Sequence, residues 1–130
     1  MSNRQIVRTA EAAAPIGPYN QAVKAGNLVF ISGQIALNPQ TGALYSGGDI
    51  GEETRLVMEA LKSILTEAGS SFDSVVKTSI FLLDMDVFGA VNEVYGSYFE
   101  SESAPARETI AVAGLPKGAR VEISMIALTA

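Results

Sequence analysis

The chain has 130 residues and a mass of 13.6 kDa, enough for one domain with a real core and too little for two comfortable ones. It contains no cysteine and no histidine, which excludes a disulfide framework, a thiol nucleophile, a Cys/His zinc site, a Ser-His-Asp triad and a histidine acid and base pair. Its net charge is -5, without a basic run or an aromatic-basic alternation, so nucleic acid is not an expected partner.

Apolar residues make up 48% and charged residues 18%, which leaves a small domain with apolar surface to hide. A buried subunit interface is therefore expected rather than a monomer. The stretch Met1-Ser2-Asn3-Arg4-Gln5 lacks the apolar core of a signal peptide, and no apolar run approaches a membrane span. These features predict a soluble, cytoplasmic protein with no membrane partner.

Gln5 to Arg8 reads as a short strand and Ala10 to Pro15 as a connection. In Ile16-Gly17-Pro18-Tyr19-Asn20-Gln21 the Gly-Pro pair forces a bend, so Tyr19 is presented by a rigid loop, or packs with its hydroxyl at the edge of the core. Ala22 to Lys24 and Leu28 to Ile35 form a predicted hairpin about Gly26-Asn27. Gly33, inside the apolar second strand, marks either a bulge or a close approach to the backbone.

Asn38 to Gly42 and Ser46 to Gly48 carry turn chemistry. Asp49 with Glu52 resembles a capping box, predicting a helix from Ile50 to about Ala68 that stops at Gly69. Ile50, Thr54, Val57, Leu61, Ile64 and Ala68 form its buried stripe, and Glu53, Arg55, Glu59, Lys62 and Glu67 read as a solvated face. Val75 to Leu83 is a second apolar strand. Asp86 is the expected N-cap of a helix from Val87 to about Phe99, whose Asn92 either donates to a ligand or caps a neighbouring loop.

After a loop over Ser101 to Pro105, a strand from Arg107 to near Gly114 and a last strand from Val121 to Leu128 complete the chain, with Pro116 between them. The order predicts a single α+β domain over 1–130, with two helices covering one face of a sheet and another subunit covering the other.

Pro105 to Ile123 carries the expected chemistry. Arg107 leads into Thr109, Ile110, Ala111 and Val112, and Glu122 lies between Val121 and Ile123. A charge is almost never buried unpaired. Each therefore faces solvent, or the two form a structural pair, or they serve a pocket in which Arg107 grips a small anion and Glu122 handles a water or a proton.

Three separated pieces together resemble the RidA (YjgF) family of reactive intermediate deaminases. They are Ile16 to Gln21, Ser32-Gly33-Gln34, and Pro105-Ala106-Arg107 through Leu115-Pro116-Lys117 to Val121-Glu122-Ile123, with Val91 to Tyr95 as a fourth. The resemblance implies a chorismate mutase-like fold and a homotrimer with sites between subunits. It also implies hydrolysis of 2-imino acids and their enamine tautomers to 2-oxo acids and ammonia, with no cofactor and no metal. By position it puts a substrate-binding arginine at Arg107, a water-handling glutamate at Glu122 and a cleft tyrosine at Tyr19 reaching across from a neighbour. Ser32, Gly33, Asn92 and Thr109 would contact substrate.

Two residues depart from the family pattern: Thr109 stands where many members have cysteine, and Glu108 where a small residue is usual. An endoribonuclease remains an alternative, as does a non-catalytic regulatory trimer that senses small carboxylates.

Overall fold

A computed structural model describes residues 3–129; Met1, Ser2 and Ala130 lie outside the described residues, including the first two positions of the stretch read as lacking a leader. The strands are β1 (Arg4–Val7), β2 (Ala22–Ala25), β3 (Leu28–Gln34), β4 (Val75–Leu82), β5 (Ala106–Ala111) and β6 (Val121–Leu128). The helices are α1 (Ile50–Glu67) and α2 (Phe88–Gly96). They form one sheet in the order β1-β2-β3-β6-β4-β5. Neighbours are antiparallel except β4 and β5, which are parallel and joined through α2.

The hairpin forms where expected because Gly26 takes a φ of 60°, a left-handed value that glycine tolerates. Asp49 caps α1 by accepting hydrogen bonds from the N–H groups of Gly51 and Glu52. Glu52 does not complete a capping box but pairs with Arg55 at 2.8 Å. Val57, Met58, Leu61 and Ile64 bury the inner face of α1, which packs on β3, β6 and α2.

Three expectations are corrected. Glu53 is not on a solvated face but is 3% exposed, where its Oε2 accepts from the Arg120 N–H at 2.8 Å. Asp84, not Asp86, provides the cap, accepting from the Asp86 N–H at the start of a short 3-10 turn over Met85–Val87. Helix α2 is shorter than expected because Tyr98 and Phe99 leave it to pack around Phe72.

Alternation in the strands gives the sheet two unlike faces. Thr78, Ile80 and Leu82 of β4 and Val121, Ile123, Met125 and Ala127 of β6 lie in the core beneath the helices. The other face is uncovered in one chain and presents Ile6, Phe30, Ile110 and Leu128 to solvent. Among the described residues no helix is long and apolar enough to cross a membrane.

The mixed α+β sheet with two helices stands, but the expected chorismate mutase-like fold does not. β1 is added outside the hairpin, and β5 lies parallel to β4 at the opposite edge.

Candidate active site

Glu122 projects from β6 on the uncovered face, because its neighbours Val121 and Ile123 take the core side. It lines a cavity of about 350 Å3 with Tyr19, Ser32, Gly33, Leu37 and Pro116. No hydrogen bond from the described residues reaches its carboxylate. Desolvation therefore acts unopposed, and burial raises its pKa above the ordinary glutamate value. A half-buried carboxylate with a raised pKa and free oxygens is suited to holding a water and moving a proton.

Gly33 satisfies both of its readings. The β3–β6 register shifts between Ile31 and Gln34, and the glycine lies so close to Glu122 that an added Cβ would collide with its carboxylate. Because the obstructed group is the end of a flexible side chain, Gly33→Ala should fold normally but displace the carboxylate. The expected loss is about 10- to 100-fold in turnover with little change in melting temperature, as measured by steady-state kinetics and thermal unfolding.

Ser32 lines the cavity and also holds its wall in place. Its hydroxyl donates to the Asn20 carbonyl at 2.6 Å, and its N–H donates to the Gln21 carbonyl at 2.9 Å. It therefore fastens the Tyr19 loop to β3. Tyr19, on a tight turn closed by its own N–H to the Gly17 carbonyl at 2.8 Å, stands half-exposed at the cavity mouth.

Arg107 forms a second centre. It pairs with Thr78 across β4 and β5, which puts it on the helix side of the sheet. Its guanidinium carbon lies 5.1 Å from the Tyr95 ring centre and 5.8 Å from that of Phe88, and Nη1 donates to Asn92 Oδ1 at 2.7 Å. Asn92 thus accepts from the arginine and orients it, while the rest of the guanidinium fork makes no hydrogen bond to the described residues. The Tyr95 hydroxyl donates to Thr78 at 3.0 Å, so the aromatic shelf is itself anchored.

Thr109, two residues along the same face, carries the buried hydroxyl that lacks a hydrogen-bond partner among the described residues. Such a group costs about 1–3 kcal/mol if left unsatisfied. Glu108 points the other way, onto the uncovered face. There it pairs with Lys77 at 2.9 Å and accepts from the Ser79 hydroxyl, and these partners lower its pKa, the Ser79 bond most. The acid that departs from the family pattern therefore does not face Arg107.

The candidates fall into two groups on opposite sides of one sheet: Glu122, Gly33, Ser32 and Tyr19 on one side, Arg107, Asn92 and Thr109 on the other. A single chain does not bring Arg107 and Glu122 together. Other side chains at the two centres carried no role in the sequence reading. Leu37 lines the Glu122 cavity and Phe88 supports Arg107 without falling in any matching piece, whereas Ile16 at the cavity and Tyr95 beside Arg107 fall within two of them but were given no part in the site.

The fold and cavity define a small α+β protein with an acid-bearing apolar pocket on its sheet. The family model described as Endoribonuclease L-PSP matches residues 9–129. A 2-iminobutanoate/2-iminopropanoate deaminase of Mus musculus is 47% identical over 125 residues, covering 96% of this chain and 91% of its own. The crystal structure of RidA from Psychrobacter sp. superposes with a TM-score of 0.89 at 41% identity, covering 95% of this chain and 98% of that one. YyfA of the Rid protein family from Yersinia pestis gives 0.93 at 40% identity, with 97% and 99% covered. The chain belongs to the RidA/YjgF family. These superpositions are what replace the chorismate mutase-like expectation.

Proposed function

We propose that the chain hydrolyses 2-imino acids of the 2-iminobutanoate and 2-iminopropanoate type to 2-oxo acids and ammonia, in sites formed between copies of a homotrimer. The observation that carries this reading is the Arg107 fork, oriented by Asn92 and two rings yet left with unused donors beside the unsatisfied Thr109 hydroxyl. That arrangement suits a carboxylate received from outside the chain. The close relationship to a deaminase of this type supports the same substrate class.

Because Arg107 and Glu122 lie on opposite faces, each site needs the Arg107 edge of one copy against the Glu122 cavity of the next. Repetition of one heterologous contact closes a ring. The apolar side chains on the uncovered sheet face supply surface for that contact. Within the site Tyr19 belongs with Glu122, so it crosses to the neighbour's arginine.

The chemistry follows from the parts. Arg107 holds the substrate carboxylate in plane and so orients the adjacent C=N carbon. Glu122 takes a proton from a water as its oxygen adds to that carbon of the protonated imine and the C=N electron pair moves to nitrogen, giving a neutral carbinolamine. The protonated Glu122 then gives the proton to nitrogen, the C–N bond breaks, ammonia leaves, and loss of the hydroxyl proton leaves the 2-oxo acid. No electrons are exchanged in this sequence. Free imines already hydrolyse unaided, so positioning and a modest acid and base contribution suffice.

The ribonuclease alternative lacks support at the cavity, whose lining contains one carboxylate and no lysine or arginine. The test is to generate the imine in situ with a threonine dehydratase. The purified protein should accelerate ammonia release and reduce the imine captured by semicarbazide. Saturable binding of 2-oxobutanoate with no acceleration would instead establish the regulatory reading.

A further inference from the structure

Gln21 is 3% exposed, and its carboxamide is entirely engaged by a single segment of chain. Oε1 accepts from the Thr9 N–H at 2.7 Å. Nε2 faces the carbonyls of Thr9, Ala12 and Ala13 at 3.1, 3.2 and 3.0 Å. One donor and three acceptors on the backbone fix which end of the amide points where. The segment it grips belongs to no helix or strand, so this side chain does for residues 9–13 what a sheet ladder does elsewhere.

The chain then runs directly into Pro15 and Ile16, which line the Glu122 cavity with Ile35 and Leu37. Ile16 is 68% exposed and has little packing of its own to hold it. Its placement depends on the two ends of the loop, one held by Gln21 and the other by the Ser32 to Asn20 bond.

We propose that Gln21 is a positioning residue that holds the Pro15–Ile16 wall of the cavity where it receives the alkyl side chain of the imino acid. The inference rests on the deaminase reading and adds to it the means by which side chains are selected. The wall is apolar and contacts the part of the substrate that does not react, so its loss removes binding shared by ground state and transition state. KM then rises while kcat is kept. The effect grows with the length of the alkyl group, because a longer chain has more apolar surface to lose.

The test compares wild type with Gln21→Leu and Ile16→Ala on 2-iminopropanoate and 2-iminobutanoate made in situ, alongside hydrogen exchange of residues 9–16. Gln21→Leu should raise KM for the butanoate about 3- to 15-fold, raise it less for the propanoate, leave kcat near wild type, and accelerate exchange in the segment. Ile16→Ala, a change at an exposed position that the fold tolerates, should show the same dependence on substrate length and keeps the test available if Gln21→Leu does not fold. A folded Gln21→Leu with unchanged KM overturns the inference, as does a loss confined to kcat, an equal loss for both substrates, or an Ile16→Ala protein with wild-type KM. If wild type binds 2-oxo acids without turnover, their Kd values replace KM. A wild-type protein that neither binds nor hydrolyses overturns the deaminase reading and this inference together, whereas an active wild type matched by its variants overturns this one alone.

Discussion

Arg107→Ala is expected to lower imine hydrolysis about 10²- to 10⁴-fold, since two charge-assisted hydrogen bonds to a carboxylate contribute about 1.5–3 kcal/mol each. The fold should survive. Arg107 is exposed on the edge strand β5, and its contacts with Phe88 and Tyr95 contribute only about 0.5–1 kcal/mol each to stability. Lysine should not restore activity, because a point charge neither fixes the plane of the carboxylate nor fills the place between the rings and Asn92. Steady-state kinetics with thermal unfolding on the same preparations checks both halves, and near-normal turnover in Arg107→Ala would remove the anchor from the mechanism.

Glu122→Gln should move activity and stability in opposite directions. Loss of the proton-transfer group should slow turnover about 10²- to 10⁴-fold, with a much smaller effect on binding of 2-oxobutanoate. Stability should rise at neutral pH. Desolvation raises the folded-state pKa of Glu122 above its unfolded value, so this group favours folding most when protonated. That contribution is fully present below the unfolded pKa and is lost as pH rises through the raised folded pKa. The melting-temperature advantage of Glu122→Gln should therefore shrink as the solution is acidified into the ordinary glutamate range. The same shift places the acid limb of the wild-type pH–rate profile above that of an unperturbed glutamate. An acid limb at the ordinary position, or a variant less stable than wild type at neutral pH, would contradict the assignment.

Much of the fold was legible because local chemistry and packing agree. The Gly26 turn, the Asp49 cap and the Val57, Leu61 and Ile64 stripe each satisfy a backbone requirement and a burial requirement at once. Glu53 shows what a charge can hide: it lies four residues before Val57 on the same stripe, and its burial was present in the period though not in the residue type. The helix limit at Gly96 was not legible, because aromatic packing around Phe72 and not helix propensity sets it.

The site was legible as residues but not as geometry. Glu122 alternates with core residues, so its place on the uncovered face followed from β6 alone. Arg107 lies on an edge strand exposed on nearly every residue, where alternation says nothing about direction. Its face is set by the parallel register that pairs it with Thr78, a long-range contact made through α2. The same register turns Glu108 toward Lys77 and Ser79. Asn92 and Ser32 were located, and within the chain each holds a neighbour, Asn92 accepting from Arg107 and Ser32 donating to the Asn20 carbonyl; an amide or hydroxyl near a site can bind substrate, hold the residue that does, or do both, and spacing does not distinguish these.

Mixing Arg107→Ala with Glu122→Gln tests the shared-site claim most directly. Each variant alone should be nearly inactive. If one copy supplies the arginine and the next the carboxylate, co-expressed chains that assemble at random should recover about a quarter of the wild-type rate, since about one junction in four then carries both intact groups. Mixed oligomers that form, as shown by their mass, yet stay as inactive as the separate variants would contradict it.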